Sequence, residues 1–257
     1  MALVLATASA ASAQTEFHYQ FGRLVNPFAS PEGTIARTQI LTLQQASTWK
    51  GGDSFFFADI IEDAGIDGFN ETEIYTEWYP TLSFSKVSGS TVGAGPLRDV
   101  ALIGGINIDA DANFLKWLPG VRLSWNVPGF IFLNTDITAF IDGNSGIASG
   151  GAPRTNNSYM FDVNWLSIFT IGNQSFNFMG HAEYIGATTI TEDVPFNRNQ
   201  NGWLLAQPQF VWDLGNAIGG EPAANQIFIG VEYQYWRNKL GAAADENTVQ
   251  FLAVWRM

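Results

Sequence analysis

Two histidines, His18 and His181, and no cysteine are all that these 257 residues offer for imidazole or thiolate chemistry. No G-x-S-x-G elbow accompanies them, so a serine hydrolase has no support, and thiolate metal sites and disulfides are excluded. His181 stands two residues before Glu183, a spacing that puts both on one face of a strand, as polar residues lining an interior. Glu73 and Glu77 are spaced as a pair of carboxylates, the arrangement glycosidases use, but alternating acids on a strand more often form a solvated wall. "DADAN", at Asp109, Asp111 and Asn113, opens like a calcium loop, D-x-[DN]-x-[DN]. Phe114 then replaces the required glycine and no glutamate closes the motif. Neither an enzyme nor a cofactor is expected from this inventory.

The remaining chemistry is aromatic and acidic, and it alternates. In "ETEIYTEWY" one parity reads Glu71, Glu73, Tyr75, Glu77, Tyr79 and the other Thr72, Ile74, Thr76, Trp78. Successive strand side chains point to opposite faces, so the segment has one acidic, aromatic face and one mostly apolar face. A soluble sandwich would turn the apolar face inward; a membrane barrel would turn it outward.

Composition bears on that choice. The chain is 46% hydrophobic but only 14% charged, sparse against a usual charged share of about 25%. Its net charge of −12 argues against nucleic-acid polymers, which recruit basic surfaces. Residues 1–13, "MALVLATASAASA", look like the apolar region and A-x-A cleavage site of a secretory signal without its basic start. The alternative is a first apolar element of the mature fold. Beyond it no run of 18 or more apolar residues appears, which excludes a bundle of membrane-spanning helices.

The elements that must position these residues are strands. Period-two alternation runs through residues 16–23, 38–47, 54–61, 71–86, 99–108, 120–127, 130–142, 158–168, 175–187, 202–213, 226–236 and 248–256. One set of connections is often tight ("WKGG", "VPG", "IGNQ"), although 87–98 and 214–225 are longer. The other set is long and polar: 24–37, 62–70, 109–119, 143–157, 188–201 and 237–247. Tight turns at one end and long loops at the other are the build of outer-membrane barrels. The reading is all-β: one transmembrane up-and-down antiparallel β-barrel of 12 strands over residues 14–257.

The apolar parities agree with this. Ile131, Leu133, Ile137 and Ile141 share one face, against Asn134, Asp136 and Asp142. Apolar-face Trp125, Trp165, Phe176, Phe178, Trp212 and Trp255 fall toward the short-turn end, and Tyr159, Tyr184, Tyr233 and Tyr235 toward the long loops. Two aromatic girdles flanking an aliphatic band are expected where rings sit at the two membrane interfaces. The opposite parity then lines a lumen, with Phe55, Phe57, Asp59, Tyr75, Glu77, Tyr79, Asp136, His181, Glu183, Gln207, Gln209, Glu232, Gln234 and Trp236 as candidates for solute contact. Rings stack on flat heterocycles, and amides and carboxylates bond their edges or sugar hydroxyls.

Several stretches carry a family resemblance. "GGDSFFFADIIED" at 51–63 resembles the G-D-x-F-F-F-x-D signature of the Tsx-like nucleoside-specific outer-membrane channels. "WYPTLSFSKVSG" at 78–89 is similar to that family's E-x-x-P-R-x-S-x-S-K segment, with Thr81 where arginine is usual. "QPQFVWDLG" at 207–215 and "GVEYQYWRNKLG" at 230–241 resemble its closing hairpin. The resemblance implies a monomeric twelve-stranded channel in the outer membrane of a Gram-negative bacterium. It would lie in membrane lipid and pass nucleosides or similar small polar solutes, with long loops of the kind that serve relatives as phage receptors. It would also place Phe55, Phe56, Phe57 and Asp59 in the signature strand, with only the odd positions sharing a face. The chain ends "WRM" where such barrels commonly end in an aromatic. Two other readings stay open: a plugged barrel acting as surface receptor or structural protein, and a secreted carbohydrate-binding sandwich.

Overall fold

In the computed structural model the described residues are 12–29, 31, 33–65 and 72–257. The leader-like segment up to residue 11, and Glu71 of the alternating stretch, lie outside them. Twelve strands close into one antiparallel barrel. They are β1 (Ser12–Asn26), β2 (Thr34–Trp49), β3 (Gly52–Ala64), β4 (Thr72–Ser83), β5 (Leu97–Asp109), β6 (Phe114–Trp125), β7 (Phe132–Asp142), β8 (Ser158–Ile171), β9 (Gln174–Ile185), β12 (Trp203–Asp213), β13 (Ile227–Arg237) and β14 (Glu246–Arg256). The two-residue strands β10 (Thr188–Thr189) and β11 (Asn199–Gln200) form a hairpin in the loop after β9. Each barrel strand pairs with its chain neighbour, and β1 pairs with β14 to close the ring, so no edge is left. A closed ring satisfies the backbone internally, the condition for crossing lipid with strands. Among the described residues no helix is long and apolar enough to cross a membrane.

The alternation sets the two faces. Outward are Leu41, Ile60, Trp78, Leu102, Ile137, Phe161, Val231 and Phe251, each exposed. Inward are Glu16, Glu77, Asp136, Asp162, Glu232 and Gln250, each buried. This inverts a soluble protein: the outside is apolar and the inside polar, as a lipid-embedded barrel requires. The aromatic girdle is seen in its contacts. Trp165 packs on Phe178 (centroids 5.6 Å apart), Phe176 on Phe210 (5.6 Å), and Tyr159 on Tyr184 (6.2 Å).

The ends differ as the loop lengths suggest, with two departures. Residues 109–119 were expected as a long loop, but β6 begins at Phe114. Pro119 reads as a breaker in sequence. Here it faces outward, opposite Gly104, and the β6–β7 ladder skips Leu118 and Pro119, so its missing N–H interrupts nothing. The β5–β6 connection is therefore a tight turn, in which Asp109 Oδ1 accepts from the backbone N–H of Asp111 and Ala112, both 2.9 Å. Second, the strand expected through residue 86 stops at Ser83. Ser83 caps the short helix α1 (Phe84–Ser88), accepting from Lys86 N at 3.0 Å. On the same end, Asp213 caps α2 (Leu214–Gly219) by accepting from Asn216 N at 2.8 Å. Close approach demands glycine at several positions, Gly105 and Gly180 among them. A Cβ on Gly105 would lie 2.7 Å from the Tyr79 ring, and one on Gly180 (φ 143°) would lie 2.2 Å from the Gln207 carbonyl oxygen.

Candidate functional site

The barrel interior is layered. Toward the long loops runs an apolar belt of Ile103, Leu118, Phe140, Met160, Ile185, Trp203, Leu205 and Trp236, joined by Tyr79 and flanked by Phe55 and Phe114. Phe140 of β7 meets Trp203 of β12 edge-on at 6.0 Å, spanning the two strands between them.

Beneath it lies a polar belt. Arg122 on β6 forks onto Asp136 of β7, with Nε to Oδ1 at 2.8 Å and Nη2 to Oδ2 at 2.6 Å. Its Nη1 donates to Asp53 of β3 at 3.3 Å. Asn164 Nδ2 donates to Asp162 Oδ2 at 2.7 Å and Asp136 Oδ2 at 3.4 Å. His181 lies 3.1 Å from Asp162 through Nδ1 and 2.8 Å from Gln207 through Nε2. Gln207 Nε2 continues to Gln234 and Glu232, which also receive Gln250 Nε2, both at 3.1 Å. Gln209 Nε2 donates to Glu232 at 2.6 Å. Gln234 Nε2 then donates to Glu246 at 2.6 Å, which also binds Lys239 at 3.0 Å. A buried ion pair contributes little over apolar packing, but removing one partner is expensive, so these links fix the wall's geometry. A separate knot near the chain termini holds Glu16 between Gln14, His18, Gln44 and Arg256 at 2.6–2.8 Å.

All candidate solute-contact residues lie on the inward parity, but they divide by access. Tyr79, Glu77, Asp136, Glu183, Glu232, Gln234 and Trp236 are buried. Phe55, Phe57, Asp59, Tyr75, His181, Gln207 and Gln209 are half-buried, and these form two walls. In the ring of twelve, β3 stands directly across from β9 and β4 across from β12. Phe55, Phe57 and Tyr75 make a rail of rings on β3–β4, with successive centroids 6.1 Å apart. Opposite are His181, Gln207 and Gln209. Tyr75 is held by its hydroxyl, which donates to Glu77 at 2.5 Å and accepts from Asn107 Nδ2 at 3.1 Å, while Tyr79 donates to Asn107 Oδ1 at 2.9 Å. Asp59 accepts from Thr42 at 2.6 Å. Phe56 and Trp78 face outward as cross-strand neighbours.

The sequence reading missed Arg122, Asp162, Asn164, Asn107 and Gln250. Asp162 and Asn164 were legible in principle, since "SYMFDVNW" alternates with both on the polar parity. Arg122 lay inside the strand expected over 120–127, but its partners, Asp136 and Asp53, stand on other strands, 14 and 69 residues away. Asn107 is a lone amide in an aliphatic run.

No protein-family model matches the chain, and no curated protein matches it. Among solved structures, the NanC porin superposes with a TM-score of 0.52 at 10% identity, covering 96% of this chain and 100% of that one. The KdgM porin gives 0.47 at 6%, covering 94% and 98%. An outer membrane channel from Pseudomonas putida F1 gives 0.48 at 9%, covering 98% and 97%. At 10% identity the likeness to the NanC porin concerns the fold alone, a closed antiparallel barrel, in agreement with the ring described above.

Proposed function

We propose that this barrel is an outer-membrane channel of a Gram-negative cell, passing nucleosides or similar flat, hydroxylated solutes passively and as a monomer. The observation that carries this reading is the half-buried rail Phe55–Phe57–Tyr75 facing His181, Gln207 and Gln209 across the lumen. One wall presents ring faces for a base to stack on. The other is polar: His181 and Gln207 are bonded to each other, and Gln209, whose Nε2 donates to Glu232, turns an amide oxygen to base edges and ribose hydroxyls. Several weak sites in series suit passage better than one strong site.

Inward acids outnumber inward bases: Glu16, Asp59, Glu77, Asp136, Asp162, Glu183, Glu232 and Glu246 stand against Lys116, Arg122, Lys239 and Arg256. An acidic lumen repels anions, which favours neutral solutes and cations. The motif resemblance to Tsx-like channels supports the same solute class. Thr81, where that family usually has arginine, is a departure from the pattern; here it accepts from Asp53 N at 3.0 Å. The long loops are the surface a phage would reach. Liposome swelling tests the proposal: adenosine should enter faster than a sugar of similar size through folded barrel. Equal rates would remove the nucleoside assignment, and no flux of either would favour the plugged barrel.

A further inference from the structure

The hydrogen bonds of His181 do more than set a ring on the lumen wall. Gln207 Nε2 donates to Glu232 at 3.3 Å and to Gln234 at 3.1 Å, which turns Gln207 Oε1 toward His181. His181 Nε2–H therefore donates to that oxygen at 2.8 Å. A histidine whose outer nitrogen donates to a fixed acceptor has its tautomer and ring angle set, the usual support of a metal-ligating imidazole. Its other nitrogen, Nδ1, faces Asp162 Oδ1 at 3.1 Å. Two lone-pair atoms that close need a positive centre between them, either a proton or a metal ion. Asp162 is oriented as well, since its second oxygen accepts from Asn164 at 2.7 Å.

Glu183 supplies the independent sign. It is only 7% exposed, and among the described residues no donor reaches its carboxylate. Buried carboxylates without a donor are costly, and a cation is one way to satisfy them. Glu183, His181 and Asp162 each offer a ligand atom, and these atoms all lie within 4.8 Å of one another. Tetrahedral bonds of about 2.0–2.2 Å call for donors roughly 3.4 Å apart, so modest side-chain rotation closes the set.

We infer that Asp162, His181 and Glu183 form a binding site for a divalent transition ion such as Zn2+ on the β8–β9 wall of the lumen. One imidazole and two carboxylates suit such an ion better than Ca2+ or Mg2+, which take oxygen ligands alone. Three protein ligands leave a coordination position facing the lumen, toward the aromatic rail. A filled site puts a double positive charge beside the solute path. That consequence rests on the channel reading, whereas ion binding itself does not.

The test uses the full-length barrel folded in detergent, with fold checked by heat-modifiable gel mobility. Titration calorimetry with Zn2+ should show one ion per barrel, with binding weakened roughly tenfold or more in Glu183→Gln and in His181→Gln. Glu221→Gln, which removes an exposed acid at the short-turn end of the barrel, should bind within about twofold of the parent. Co2+ in the parent should give the intense visible bands of a tetrahedral nitrogen–oxygen site, a readout that needs no variant. No Zn2+ binding by the parent, binding by both ligand variants as tight as the parent's, or a Co2+ spectrum like that of the hydrated ion would each overturn the site.

Discussion

Two stretches of the same lumen wall, the aromatic rail on β3–β4 and the charged belt on β6–β8, obey one alternation rule and end in opposite states. Arg122, Asp136, Asn164 and Asp162 each have their polar atoms directed at named partners. Phe55 and Phe57 meet each other ring to ring, make no polar bond through their side chains, and stay half-buried. A guanidinium in a low-dielectric interior must be matched group for group, so it organises its neighbours and leaves nothing to spare. A ring has no such obligation, so its face remains available. The belt accordingly reads as scaffold and the rail as the solute surface.

The sharpest break of this contrast is Arg122→Met. It strands Asp136 as a buried charge, and the expected loss of folding stability is about 3–5 kcal/mol. Urea unfolding in lipid vesicles would measure it, and a loss no larger than that of Phe57→Ala would erase the distinction between scaffold and rail.

Next in size is the outer face. Ile137→Arg, on the outward parity of β7, should cost about 2–4 kcal/mol near the bilayer midplane, whereas arginine at inward Gln209 should cost less. Equal costs would mean that the outward face does not meet lipid.

A smaller effect belongs to the rail itself. Stacking on an aromatic is worth roughly 1–3 kcal/mol per base, so Tyr75→Ala should weaken adenosine binding about tenfold while leaving small-ion conductance equal or larger. Trp78→Ala, three residues along the same strand but facing outward, should leave adenosine binding within about twofold and lower folding yield instead. Reversal-potential measurements in a salt gradient should show the least change of all: a cation preference in the parent, reduced but kept in Glu77→Gln.

How much of this was legible in the sequence follows from the range of each interaction. Face assignment needs only period-two alternation, so Tyr75, Glu77 and Tyr79 opposite Trp78 could be placed from nine letters. The twelve-strand count came from the same rhythm, although Pro119 hid the start of β6 because a missing N–H matters only where a ladder bond would have formed. The accessible and the buried lumen residues could not be separated, since Glu77 and Asp59 look alike until the strands across the ring are known. Arg122 illustrates the deepest limit: its partners, Asp53 and Asp136, lie 69 and 14 residues away. Nothing local marks such an ion pair.

The most direct measurement is single-channel recording of cation current with adenosine added, on the parent and on a Phe57→Ala, Tyr75→Ala double variant. In the parent, adenosine is expected to interrupt the current briefly and repeatedly as it dwells on the rail. In the double variant the interruptions should shorten or vanish while the open current persists. Interruptions of unchanged length in the double variant, or none in a conducting parent, would contradict a lumen that recognises its solute through the β3–β4 rings.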